Sequence, residues 1–206
     1  MDAVHSKSAM VYKQVRRALR SGRYAPGQRI DPTVLAGELH ISPTPVRFAL
    51  YRLVGENLLV DHARGGLHVP LLNEVALRDL YDWMERLLTM ACGIAATRKV
   101  EPAEPATAGS DLVKLTWKLF DAIARASAHR YLYQSVKQAN DQLAPIRRAK
   151  QGWLTQGEEE LSTLSRLWQA RDMAALKTAL HDYHERRKRL VPCIVALLSD
   201  NNDDQG

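Results

Sequence analysis

The sequence predicts a mainly α-helical protein: three short helices and a β-hairpin fill the first third, and an all-α helical bundle follows. Three observations carry this: apolar residues recur at helical spacing near the start, strand signals are confined to residues 58–69, and helical patterning dominates from Asn73 onward.

The elements follow in order. Between Ser8 and Ser21, Val11, Val15, Ala18 and Leu19 form an apolar stripe, with Lys13, Arg16, Arg17 and Arg20 elsewhere, so an amphipathic helix is expected to end near Gly22. Pro26-Gly27 marks a turn. Asp31-Pro32 places a capping residue before a proline in the first helical turn, opening a second helix through Leu35 and Leu39. After the turn His40-Ile41-Ser42, either Ser42 or Thr44 can cap a third helix. Pro45 lies near its first position, and Val46, Ala49, Leu50 and Leu53 form its buried face. This is a helix-turn-helix arrangement. Leu58-Leu59-Val60 and Leu67-His68-Val69 then read as short strands around Ala63-Arg64-Gly65-Gly66, a hairpin that completes a winged helix-turn-helix.

In the second part, Leu77, Leu80, Met84, Leu87, Leu88 and Ala91 share one stripe. Glu101 to Pro105 breaks the pattern, and Ser110 can cap a helix carrying Leu112, Leu115, Leu119 and Ile123. Further helices are expected over Tyr131–Ala149, Glu158–Ala170 and Met173 to about Leu198, the last bent at Pro192. The expected domains are residues 1–70, the winged helix, and 71–200, the helical domain, with a frayed tail over 201–206.

At 206 residues the chain is long enough for two small cores, and 46% hydrophobic with 25% charged residues excludes extensive disorder. The formal charge of +6 suits a partner bearing phosphates. Lys7, Lys13, Arg16, Arg17, Arg20, Arg23, Arg29, Arg47, Arg52 and Arg64 give the first third a basic excess over Asp2, Asp31, Glu38, Glu56 and Asp61. The longest apolar run, Leu87 to Ala96, is short of the ~20 residues of a membrane helix, and Met1 to Met10 lacks the apolar core of a signal peptide. A cytoplasmic protein without a membrane partner is expected. Cys92 and Cys193 form neither a disulfide framework nor a zinc motif and are expected to pack. His181 and His184 stand one helical turn apart, without the glutamate of a metalloprotease motif, and no enzyme is expected. Arg147 and Arg148 read as a solvated helix face, the alternative being an anion site.

Residues Val15 to Val69 resemble the DNA-binding domain of the GntR family of transcriptional regulators. The resemblance rests on Pro26-Gly27, Leu35-Ala36, Ile41-Ser42, Thr44-Pro45-Val46-Arg47, Ala49-Leu50, Leu53 and the wing from Gly66 to Val69. The remainder resembles the helical, ligand-sensing domain of that family's FadR-type branch. Leu80-Tyr81-Asp82, Phe120 with Ala122-Ile123 and Ala126-Ser127, and Leu164 to Asp172 carry that second match.

The resemblance implies a sequence-specific regulator, expected to be a repressor, whose partners are a double-stranded DNA operator, a second copy in a homodimer and a small organic effector. Arg47 is then the base- or phosphate-contacting arginine of the recognition helix, and Thr44 contacts phosphate or caps that helix. Arg64, Gly66 and His68 belong to a wing that enters the minor groove, and Arg29 contacts phosphate. Pro43 stands where members commonly carry arginine and Phe48 where they carry glutamate. Many members of the branch bind a divalent ion through an aspartate and three histidines. Trp117, Asp121, Leu161 and Tyr183 fall at those positions, and tryptophan and leucine offer no lone pair to a metal. His184 would replace Tyr183 on an offset of one residue. No metal and no cofactor are therefore expected. Trp117, Asp121, Tyr183 and His184 either line an effector pocket or are plain core. The alternative functions are a regulator without a ligand pocket and a helical interaction protein with a weakened DNA-binding head.

Overall fold

A computed structural model describes residues 2–63, 65–98, 111–150 and 156–203. The chain divides into two compact units, Met1–Leu71 with Ala144–Ala149 and Leu197–Gly206, and Leu72–Leu143 with Lys150–Ala196.

The first unit contains α1 (Asp2–Ser21), β1 (Arg29–Ile30), α2 (Pro32–Glu38), α3 (Pro43–Gly55), β2 (Val60–His62) and β3 (Gly66–His68). Val11, Val15 and Leu19 of α1 meet Val46, Ala49, Leu50 and Leu53 of α3 in one core with Leu35, Ala36, Leu58, Leu59 and Leu67. The α1–α3 contact has a polar clasp at its edge: the Tyr12 hydroxyl donates to Glu56 at 2.7 Å, and the Arg52 guanidinium lies 4.1 Å from the Tyr12 ring centre. Asp31 caps α2 as expected, its Oδ1 accepting from the Thr33 N–H at 2.7 Å.

Three details differ from the sequence reading. The sheet has three antiparallel strands in the order β1-β3-β2, the added strand pairing Arg29 with His68 and Ile30 with Leu67. Leu58 and Leu59 precede β2 rather than forming it, because both side chains are buried in the core. Helix α3 begins at Pro43, its cap Ser42 makes no side-chain capping bond, and Thr44 is its second residue rather than its cap.

The second unit contains α4 (Glu74–Ala96), α5 (Leu112–Ala126), most of α6 (Arg130–Ala149), α7 (Gly157–Gln169), α8 (Met173–Arg189) and the start of α9 (Val191–Asp203). Helix α4 packs against α5 and α8, and α7 packs against the same two. Tyr81, Met84, Leu88, Phe120, Leu119, Ile123, Trp168 and Leu180 fill the interior. Tyr81 holds the core position expected of Leu80, which is only half-buried. Asp111 caps α5 by accepting from the Lys114 N–H at 2.9 Å; Ser110 and the break at 101–105 lie outside the described residues. The helix expected to bend at Pro192 instead ends at its cap Leu190, and Pro192 sits in the first turn of α9, where a proline disturbs no helical bond. Helix α9 continues into the expected tail as far as Asp203. Cys92 is buried and its thiol is pushed up to about 12 by that burial, whereas Cys193 is exposed and does not pack. Arg147 is buried rather than solvated. No helix among the described residues is long and apolar enough to cross a membrane.

Candidate nucleic-acid interface

Helix α3 has a fully buried back and a chemically varied front. Val46, Ala49, Leu50 and Leu53 are all 0% exposed, which fixes the helix against rotation about its axis. The other face presents Thr44, Arg47, Phe48, Tyr51 and Arg52, all exposed, with Phe48 62% and Tyr51 55% accessible. Tyr51 was missed in the sequence, although its spacing of four from Arg47 puts it on the same face. The first turn is unusual. Of the four N–H groups at the start of a helix that have no intrahelical acceptor, those at positions 43 and 45 do not exist, because both residues are proline. Only Ser42 and Thr44 are left to offer main-chain donors there.

The wing is held by the sheet. Gly66 has φ +79°, a left-handed conformation that glycine adopts without strain. The Gly66 carbonyl accepts from His68 Nδ1 at 3.0 Å, and the His68 ring meets His62 edge-on with centres 5.2 Å apart. Arg29 stands opposite His68 across β1–β3, and its guanidinium passes close enough to Gly66 that a Cβ there would lie 3.6 Å from Nε. The Arg29–Asp31 ion pair, at 3.9 Å between exposed groups, leaves that guanidinium at the surface. The structure thus brings Arg29, Gly66 and His68 together on the sheet and places Thr44 and Arg47 on α3; Arg64 lies outside the described residues. Arg16 is a packing residue, donating to the Tyr12 hydroxyl at 2.5 Å and standing 3.8 Å from Glu56.

The four pocket candidates of the second unit fall into two groups. Trp117 donates from Nε1 to Asp141 Oδ1 at 2.7 Å, and Asp121 bonds Arg125 at 2.6 Å and the Tyr133 hydroxyl at 3.1 Å. Both are therefore tied to neighbours on α5 or α6. Tyr183 and His184 are buried and share the Phe120 ring, with centres 5.5 and 6.0 Å away. His184 Nδ1 lies 2.7 Å from the Leu180 carbonyl, which fixes the proton on that nitrogen. Tyr183 also lines a cleft of about 300 Å³ between α7 and α8, together with Glu159, Glu160, Thr163, Asp182 and Arg186.

A divalent ion does not fit the positions the branch would use. Trp117 and Leu161 supply no donor, and both oxygens of Asp121 are already bonded. Elsewhere Glu85, His181 and Glu185 have ligand atoms within 4.8 Å of one another. A lysine is seated among them, Lys188 Nζ lying 3.0 Å from Glu85 and 2.5 Å from Glu185. His181 Nδ1 is 2.7 Å from Glu85, and this hydrogen bond raises the imidazole pKa. The group is an ion-pair network joining α4 to α8.

Residues 7–69 match the family described as bacterial regulatory proteins, gntR family. The Nta operon transcriptional regulator of Aminobacter aminovorans is 36% identical over 81 residues, 39% of this chain and 39% of that protein. The uncharacterized HTH-type transcriptional regulator YdhC of Bacillus subtilis is 23% identical over 145 residues, 63% of this chain and 65% of that protein. The chain thus spans under two thirds of the length of these curated relatives. Among solved structures, E. coli McbR/YncC superposes with a TM-score of 0.70 at 20% identity, covering 90% of this chain and 96% of that one. A putative GntR transcriptional regulator from Rhodococcus sp. RHA1 gives 0.72 at 15% identity, covering 90% and 97%. These two show that the fold is shared along most of the chain. The family match falls on the helix-turn-helix and the wing, element for element, so residues 7–69 form a domain of the gntR family of bacterial regulatory proteins.

Proposed function

We propose that the protein is a transcriptional regulator that binds double-stranded DNA in the cytoplasm through α3 and the wing, and that it acts as a homodimeric repressor. The observation that carries this is the front of α3, where Thr44, Arg47, Phe48 and Tyr51 are exposed on a helix whose back is locked in the core. In the proposed complex α3 lies in the major groove, Arg47 meets a base edge or phosphate, Phe48 and Tyr51 offer apolar contact to thymine methyls, and Arg29, Gly66 and His68 follow the adjacent backbone or minor groove. The domains are assigned as a winged helix over 1–70 and a helical domain over 71–200 that dimerises and takes a small organic effector without a metal. The buried aromatic group Phe120, Tyr183 and His184 supports an organic ligand, and the donor-poor residues at the branch's metal positions support the absence of an ion. Both relatives described above by name as transcriptional regulators support the regulatory role.

The test is binding of the full chain to duplexes tiled from its own upstream region, across a salt series, with Arg47→Ala alongside. Specific binding that weakens with salt and falls by roughly 1–3 kcal/mol in the variant supports the assignment. Failure to retain any duplex at low salt overturns it.

A further inference from the structure

Among the described residues one face of α4 is left uncovered, and its outer residues are arranged symmetrically. At 100° per residue, Val75, Asp79, Asp82, Trp83, Arg86 and Met90 fall within an arc of roughly 100° on the helix. The opposite face, from Leu77 through Tyr81, Met84, Leu88 and Ala91 to Ala95, is buried in the second unit's core. On the open side Val75 is 69% exposed, Trp83 50% and Met90 55%, an unusual concentration of large apolar surface on a single helix.

The outer four of these residues read the same, in chemical complement, from either end. About a midpoint between Asp82 and Trp83, Val75 is the counterpart of Met90 and Asp79 the counterpart of Arg86. In an interface with two-fold symmetry, residue i of one copy meets residue j of the other and the reverse also holds. Two α4 helices packed antiparallel about that midpoint therefore set Val75 on the partner's Met90, Asp79 on the partner's Arg86, and Trp83 beside the dyad against the partner's Asp82. A parallel pairing would oppose Asp79 to Asp79 and Arg86 to Arg86. Arg86 is held on this face by Asp82 at 2.6 Å and is still 69% exposed, so its guanidinium has room for a second carboxylate. The acidic pair Asp79 and Asp82 disfavours a phosphate-bearing partner here.

We propose that this stripe of α4 is the centre of an isologous interface with a second copy of the chain, antiparallel, with its dyad between Asp82 and Trp83. The inference rests on the dimeric reading above and adds the surface and the register. Two measurements on the full chain test it. In sedimentation velocity, Trp83→Glu should raise the dimer dissociation constant by about 30-fold or more, the size of a hot-spot loss, while the helical circular dichroism spectrum of the folded chain stays unchanged because the side chain is outside the core. In a Cys193→Ser background, Val75→Cys with Met90→Cys should form an intermolecular disulfide on oxidation, whereas either cysteine alone should not, since each lies about 22 Å along the helix from its own copy. A wild-type dimer that survives Trp83→Glu and fails to cross-link overturns the proposed surface and leaves dimerisation standing. A wild-type chain that sediments as a monomer at tens of micromolar overturns both.

Discussion

Replacing Glu160 by glutamine removes one charge from the α7–α8 contact and almost no volume. The carboxylate is 8% exposed and bonds the guanidinium of Arg187, itself 4% exposed, at 2.5 Å. Arg187 also donates to the Tyr183 carbonyl at 2.7 Å and lies 3.2 Å from the Tyr183 ring centre, which leaves it almost wholly shielded from water. Taking away one partner of such a pair strands the other as a buried cation, which costs about 3–5 kcal/mol, whereas removing both with Glu160→Gln and Arg187→Met should cost far less. Burial pushes the Glu160 carboxyl up, but the hydrogen bonds and charges of Arg187 and then Arg186 outweigh it and hold the group below the ordinary glutamate value. A depressed carboxylate stabilises the fold fully above its unfolded pKa of about 4.3, and the contribution disappears as pH falls through the lower folded value. The difference between wild type and Glu160→Gln should therefore be complete at neutral pH and narrow in acid. Urea unfolding followed by tryptophan fluorescence measures it, since Trp83, Trp117 and Trp168 lie in the second unit and the chain has no tryptophan before residue 72. A loss under about 1 kcal/mol at neutral pH, or one that does not narrow in acid, would refute the argument.

Three further outcomes are expected. Phe48→Ala should change stability by no more than about 0.5 kcal/mol, because the ring is exposed, yet shift the base preference of selected DNA ligands away from thymine; unchanged preference would remove Phe48 from the reading surface. Gly66→Ala forces an L residue into a left-handed conformation and should destabilise the first unit by about 1–2 kcal/mol in denaturant titration, with an unaffected midpoint contradicting the wing geometry. Glu85→Gln should lower the His181 titration midpoint seen by NMR, since the hydrogen bond to Glu85 is the main cause of its elevation, and an unmoved midpoint would mean the α4–α8 network does not form as described.

What could be read from the chain was whatever depends on neighbours in sequence. The core faces of α1 and α3 follow from spacing alone, and Asp31 announced the start of α2 through its own side chain. Strand β1 could not be read, because two residues have no periodicity and become a strand only by pairing with β3 nearly forty positions later. Leu58-Leu59 looked like a strand because an apolar pair entering a core and an apolar pair in a sheet are compositionally the same. The start of α3 stayed open between the caps Ser42 and Thr44 because Pro43 and Pro45 are equally good openings. The positions of Arg47 on the front of α3 and of Gly66 in the hairpin were legible through the resemblance, but the Glu85–His181 contact joins residues 96 apart, and the sharing of Phe120 by Tyr183 and His184 depends on the packing of α5 against the bundle. Arg147 looked solvated since charge on a helix usually is.

The two prolines that open α3 bear on how this head can evolve. A main-chain N–H grips phosphate whatever residue carries it, so a recognition helix anchored by its first turn keeps its seating while its side chains change. Here half of those anchors are missing, and in the proposed complex the seating passes to Thr44 and Arg47, which a single codon change can alter. Substitutions on this helix should then move its footprint along the duplex as well as its choice of bases, and operators of close relatives should diverge in spacing as well as in sequence.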